Sequence, residues 1–215
     1  LLVNMGGVDV DNITENVLDE LKACNLPNDI HITIVMGGSA PHLKSVKLKA
    51  STLPYKAEVK VDVGNMAEIM SNSDIAIGAA GSTTWERCCL GLPTIQIVIA
   101  KNQLFSAETL AHHNIVKLVK EIKEIAYLLE NSTKWINDVG NAALEICDGM
   151  GGFKVFNKMT SHKILLEASG EVELCNYIDL NEHDKMLVLN MRNHLQIKKW
   201  MHNQNSISEE DHFGF

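Results

Sequence analysis

The sequence lacks any excess of positive charge: 27 acidic side chains stand against 19 Lys and Arg in 215 residues, a net charge of −8. Nucleic acid and anionic membrane are therefore not expected as partners, since either needs a basic face. Backbone amides can still hold an anion locally without net charge. No apolar run reaches membrane-spanning length and no secretory leader is visible, so cytoplasm is the expected compartment. The five cysteines, Cys24, Cys88, Cys89, Cys147 and Cys175, form no CxxC pair and are odd in number. That speaks against a zinc or redox motif and against a disulfide framework. Adjacent Cys88 and Cys89 on a helix should face different ways. Neither a Walker loop nor GxGxxG occurs, and no metal or cofactor is expected. An initiator Met is also missing. The chain opens on a strand-like run, Leu1-Leu2-Val3-Asn4-Met5, so a piece of a longer protein is expected.

What is present is a regular alternation. Hydrophobic residues make up 46% and charged ones 21%, as in globular domains. The first strand ends in Gly6-Gly7. Asn12 and Glu15 have the spacing of a capping box opening a helix to about Cys24, with Val17, Leu18 and Leu21 on its apolar face. A strand over 30–36 ends in a second pair, Gly37-Gly38, read as a turn. A helix starting near Pro41, a strand over 56–63 with one wetter face and a short helix over 67–71 follow. Helices are predicted over 104–113, 121–130, 133–147 and 153–167, with a last strand over 115–119. Short strands alternating with helices argue a parallel, doubly wound sheet with right-handed crossovers. From residue 168 the rhythm changes. A strand over 171–180, a helix over 186–201 and a helix start near Ser206 suggest a separate α+β segment.

The most informative stretch is residues 74–103. Ile75-Ala76-Ile77 reads as a buried strand, and Gly78 to Thr83 as a small-residue loop. The segment 85–90 has helical spacing, with Gly91 and Pro93 as stop signals, and 94–100 is the next strand. The loop of such a βαβ unit lies at the carboxyl end of its first strand, where open parallel sheets bind ligands. Gly81 and Ser82 let backbone N–H groups approach an anion, and the helix start adds unpaired donors. Ser82 or Thr83 can cap the helix or give a hydroxyl to phosphate. Glu86, one turn in, suits the vicinal hydroxyls of a ribose or, equally, the helix dipole. Trp85 reads as a packing residue that orients the loop. His112-His113 at a helix end reads as a dipole partner.

The run GAAGSTTWERCCLGLPTI with the later KNQ closely resembles the UDP-sugar hydrolases of pseudaminic acid biosynthesis, relatives of glycosyltransferases with the two-domain GT-B fold. The resemblance covers about residues 1–165. It implies an α/β, Rossmann-like parallel sheet, the C-terminal domain of a GT-B fold, over 1–168. It also implies UDP or a UDP-sugar as partner, and a catalytic histidine in an N-terminal half that these residues do not include. Gly81, Ser82 and Thr83 would meet the pyrophosphate and Glu86 the ribose. Asn102 and Gln103 would address the sugar and its anomeric centre, Asn102 being the candidate catalytic residue, although both could instead cap the following helix. Gly6 and Gly7 would face the inter-domain cleft and the phosphates, or be turns. Val63 to Met66 would hold uracil, although Met66 is more often core filler.

The run MRNHLQIKKWMHNQNSISEEDHFGF resembles the start of GNAT-type N-acetyltransferases, which implies a truncated acetyltransferase segment over 169–215. A glycosyltransferase donor domain and a non-catalytic α/β interaction domain are the competing expectations.

Overall fold

The structure is a computed structural model that describes residues 1–161, 164–166, 170–172, 180–200 and 205–213. It divides into two compact units, Leu1–Gly151 and Gly152–Phe215. The expected boundary at 168/169 lies outside the described residues.

The first unit is built on six parallel strands: β1 (Leu2–Asn4), β2 (His31–Met36), β3 (Lys56–Val61), β4 (Ala76–Ala79), β5 (Thr94–Ile97) and β6 (Lys117–Val119). The intervening helices are α1 (Ile13–Ala23), α2 (Leu43–Ala50), α3 (Met66–Ser71), α4 (Thr83–Cys89) and α5 (Leu104–His112), followed by α6 (Glu124–Glu130) and α7 (Ile136–Ile146). The strands lie in the order β3-β2-β1-β4-β5-β6. The chain winds outward from β1 to β3, then returns to the other side of β1 as β4. Leu2 stands beside Thr33 on one side and Ala76 on the other. The carboxyl ends of β1 and β4 therefore flank the topological switch point, where a crevice opens because the connections leave in opposite directions.

Burial follows position in the sheet. The central strands β1, β4 and β5 are buried at every residue, as strands covered on both faces must be, whereas edge strand β3 is half-exposed. Alternation sorts the core into two faces. Val3, Ile34, Ile77 and Ile95 pack with Val17, Leu18 and Leu21 of α1 and with Ile125 of α6, while Leu2, Val35 and Ala76 pack with Ile69 and Met70 of α3. Helix α4 stops where the sequence places the stop. Gly91 takes φ 61°, a left-handed conformation that closes a helix end at no Cβ cost.

Two local expectations are overturned. Asn12 does not cap α1 through its side chain: it sits at φ 55° with no cap hydrogen bond. Asp9 does so instead, its two carboxylate oxygens accepting from Ile13 N and Thr14 N at 2.9 Å each. Asp9 comes three residues earlier because the loop coils through left-handed Gly6, Asp9 and Asn12, which carries Asp9 over the helix end. Gly37 is also more than a turn residue, since a Cβ there would stand 2.2 Å from the Gly7 carbonyl oxygen. The loops after β1 and β2 meet backbone to backbone.

Of the second unit, α8 (Gly151–Ser161) is shorter than the helix expected over 153–167. Residues Ile164–Leu166 instead form β7, antiparallel to β8 (Gly170–Val172). An apolar run of that length fits helix or strand equally, and the ladder decides. Helix α9 (Glu182–Asn193) is capped by the Asn181 side chain, which accepts from Asp184 N at 2.9 Å. Asn193 exchanges two hydrogen bonds with the Ile207 backbone. Short helices α10 (Leu195–Lys198) and α11 (Glu209–Phe213) follow, the second opened by Ser208 Oγ accepting from Asp211 N. Residues 173–179, part of the expected strand over 171–180, lie outside the described residues.

Candidate functional site

The loops that follow β1, β2, β3 and β5 line cavities at the carboxyl edge of the sheet. After β1 come Gly6 and Gly7, which bound two adjoining cavities. One, about 210 Å³, also takes in Asn4, Gly37, Val63 and Met66. The other, about 410 Å³, takes in Asp9, Ile99, Ala100 and Gln103. Five of the ten residues singled out from the sequence, Gly6, Gly7, Val63, Met66 and Gln103, thus line one connected region at the carboxyl edge of the sheet. Gly81 adjoins it: a Cβ on Gly81 would stand 3.8 Å from Gln103 Nε2. Ser82, Thr83, Glu86 and Asn102 line neither cavity.

The loop after β4 is held from both ends. Ala80 N donates to Ile97 O at 2.9 Å, and Gly81 O and Ser82 O accept from Thr84 N and Trp85 N at 3.1 Å each. Among the described residues the N–H groups of Gly81, Ser82 and Thr83 meet no protein acceptor. Neither Ser82 nor Gln103, the residues before α4 and α5, makes a side-chain cap hydrogen bond. The capping alternative therefore does not account for Ser82 or Gln103, and the exposed Ser82 hydroxyl is left at the surface. Glu86 is exposed on α4 and makes no hydrogen bond among the described residues. Trp85 is 44% exposed, so it is not the packing residue expected. Helical spacing turns Thr84 and Arg87 to the core and leaves Trp85 outside.

Asn102 lies in a single 3₁₀ turn, Lys101–Gln103, with an exposed side chain. Gln103 has a structural task as well: its Oε1 accepts from Ile99 N at 3.0 Å, which ties the end of β5 and leaves only Nε2 toward Gly81. Thr83 is half-buried, and its Oγ1 accepts from Arg87 Nη1 at 3.1 Å.

Three polar residues escaped sequence reasoning. Asn4, 7% exposed at the end of β1, donates from Nδ2 to Val35 O at 3.0 Å, while its Oδ1 has no partner and the residue lines the smaller cavity. Its signal is an amide inside an otherwise apolar strand. Asp9 is equally buried. Arg87 is 1% exposed, and burial pushes its guanidinium down to about 10, still protonated at neutral pH. Its signal is a lone cation two residues after an aromatic in a short core-facing helix. Cys88 is buried and Cys89 half-buried, as adjacent helix positions demand, and Cys89 Sγ lies 2.9 Å from Cys147 Sγ at the end of α7. Burial pushes the Cys88 thiol up to about 11.

Comparison with known proteins places this geometry. The chain is 28% identical over 111 residues to the spore coat polysaccharide biosynthesis protein SpsG of Bacillus subtilis, matching 52% of this chain and 32% of the relative. It is 33% identical over 105 residues to the UDP-N-acetylglucosamine–N-acetylmuramyl-(pentapeptide) pyrophosphoryl-undecaprenol N-acetylglucosamine transferase of Campylobacter fetus, matching 46% of this chain and 31% of the relative. The chain therefore spans about a third of the length of either relative. Among solved structures, MurG of Acinetobacter baumannii superposes with a TM-score of 0.64 at 16% identity, covering 75% of this chain and 49% of that one. HepE of Anabaena, solved in complex with UDP and glucose, superposes with a TM-score of 0.53 at 14% identity, covering 75% and 48%. These structural likenesses concern the fold, a Rossmann-like parallel sheet of the kind found in the C-terminal domains of GT-B glycosyltransferases. Residues 1–146 match the glycosyltransferase family 28 C-terminal domain, and the chain belongs to that family.

Proposed function

We propose that residues 1–168 are the UDP-sugar-binding half of an enzyme that cleaves the bond between UDP and a sugar. The observation that carries this reading is the joining of Gly6, Gly7, Val63, Met66 and Gln103 around one crevice, next to three successive N–H groups at Gly81, Ser82 and Thr83 that lack a protein acceptor. Backbone donors without partners suit the pyrophosphate, because they present partial positive charge at close range with no side-chain entropy to lose. Glu86 accepts from the ribose hydroxyls. Uracil lies along Val63 to Met66, where Val35 and Met36 give an apolar wall. Asn102 and Gln103 reach the sugar, their amides able both to donate and to accept.

The long motif around residues 78–103 favours water as the acceptor: hydrolysis at the anomeric carbon of a 2,4-diacetamido-2,4,6-trideoxy sugar, releasing UDP and the free sugar. The catalytic histidine would come from an N-terminal half outside these residues, the missing partner of the crevice. Membership of a glycosyltransferase family and the relative named as a transferase favour the second reading, transfer of the sugar to an acceptor. The same view takes residues 169–215 as the N-terminal segment of a GNAT-like acetyltransferase and places the protein in the cytoplasm. Among the described residues no helix is long and apolar enough to cross a membrane.

Titration of the chain with UDP, followed by amide NMR, tests the binding. Micromolar to millimolar affinity is expected, with shifts at Gly81, Ser82 and Thr83. Unmoved resonances there would sink the reading. Supplying the parent enzyme with a UDP-sugar in ¹⁸O-labelled water separates the two outcomes: label in the released sugar means hydrolysis, and its absence with sugar on an acceptor means transfer.

A further inference from the structure

Arg87 is the residue that the proposed roles leave unused. It is 1% exposed, and among the described residues no carboxylate makes an ion pair with it, although Glu86 on the same helix attracts it from beyond contact distance. Its Nε has no acceptor. Strand β4 is shaped to admit it, since a Cβ at Gly78 would stand 2.6 Å from Nη1 and 2.8 Å from Cζ. A buried cation with no carboxylate in contact is costly, and an anion bound close by would offset that cost.

The bonds that Arg87 does make converge on the loop after β4. Nη2 donates to the Ala79 carbonyl at 2.9 Å and to Thr84 Oγ1 at 3.2 Å, and Nη1 donates to Thr83 Oγ1 at 3.1 Å. The last bond has a direction. A hydroxyl carries one proton, and an arginine can only donate, so Thr83 Oγ1 is an acceptor toward Arg87. Its own proton meets no acceptor among the described residues. Thr84 differs: it also takes Gln96 Nε2 at 2.7 Å and belongs to the core.

We propose that Arg87 is a positioning residue for a nucleoside diphosphate: it sets Thr83 as a donor at the loop and supplies, from beneath, the positive charge that the diphosphate neutralises. This rests on the reading that UDP binds at Gly81 to Thr83. It goes further in naming the source of the preference for a charged ligand.

The test compares UDP with uridine, which shares the base and ribose but carries no charge. Calorimetric titrations use the 215-residue chain, with folding checked by circular dichroism. Arg87→Met should weaken UDP about tenfold, the order of one hydrogen bond to a charged group, while uridine affinity stays within about twofold. Thr83→Val should also weaken UDP selectively, Thr83→Ser should restore UDP binding, and the double variant should lose no more than Arg87→Met alone. Equal weakening of both ligands, or additive losses, would mean that Arg87 merely cements β4 to α4, and would overturn the proposal. Should Arg87→Met not fold, the Thr83 pair decides: an unchanged UDP-to-uridine ratio in Thr83→Val overturns the proposal equally. Failure of the wild-type chain to bind UDP would overturn the parent reading instead, and this inference with it.

Discussion

The two loops that flank the crevice are built by opposite means. After β1 the chain coils through three left-handed residues, and an acid, Asp9, closes the loop by accepting from Ile13 N and Thr14 N. After β4 the backbone needs no left-handed residue, and a base, Arg87, holds it from the core side. The first arrangement occupies the leading donors of α1 with a carboxylate and adds negative charge. The second leaves the N–H groups of Gly81, Ser82 and Thr83 without an acceptor and puts positive charge behind them. Two glycine-bearing loops at one sheet edge are thus not equivalent. The unpartnered donors and the positive charge lie on the β4 side, while Gly6 and Gly7 border open space on the other.

The largest expected effects come from filling the space each loop needs. Gly37→Ala drives a Cβ to 2.2 Å from the Gly7 carbonyl oxygen, and backbone cannot swing away as a side chain can. A loss of about 3 kcal/mol in urea unfolding is expected, at the upper end for overpacking. A loss below about 0.5 kcal/mol would show the β1 loop to be soft, in the range of neutral surface changes. Gly78→Ala meets the end of a side chain instead, at 2.6 Å from Arg87 Nη1, and should cost about 2 kcal/mol. Because that collision is with the guanidinium, the cost should shrink in an Arg87→Met background. Strict additivity in this cycle would disprove the assigned cause.

The sheet was legible in the sequence because its strands are short apolar runs between helices with clear apolar faces, as Val17, Leu18 and Leu21 show. The loop roles were less so. Asn12 and Glu15 carry the spacing of a capping box, but spacing says nothing of a loop that recrosses the helix end and delivers Asp9 first. Gly37 looked like a turn because the neighbour that requires it, Gly7, is 30 residues away in sequence. Spacing alone does not mark Arg87, because a cation in an amphipathic helix is expected on the solvated face, and only its partners, Ala79 and Thr84, draw it into the core. Gly6 and Gly7 follow from the end of the first strand, Val63 and Met66 from the resemblance, and all four line cavities at the carboxyl edge of the sheet. Asn102 could not be tied to a cavity, since a side chain on an exposed 3₁₀ turn takes its direction from contacts beyond its own sequence.

Removing the acid tests the other side of the comparison. Asp9→Ala should cost about 1 kcal/mol, the usual worth of a helix cap. UDP affinity should not fall, because the carboxylate serves α1 alone. A marked tightening would place an anion nearer to the β1 loop than the comparison allows, and isothermal titration at low salt reads either result.

Glu86→Ala should have the smallest effect on stability. The side chain is exposed and makes no hydrogen bond among the described residues, so unfolding should shift by no more than about 0.5 kcal/mol. A carboxylate kept only for the helix dipole would cost stability and leave nucleotide binding alone. One that grips the ribose would do the reverse, and the two accounts separate cleanly with 2′-deoxy-UDP. If Glu86 accepts from the 2′-hydroxyl, the wild type should prefer UDP over the deoxy analogue by about tenfold, the worth of a charge-assisted hydrogen bond, and Glu86→Ala should bind both alike. A preference that survives the substitution would move the ribose contact to another residue, and the exposed face of α4 would then be an ordinary solvated surface.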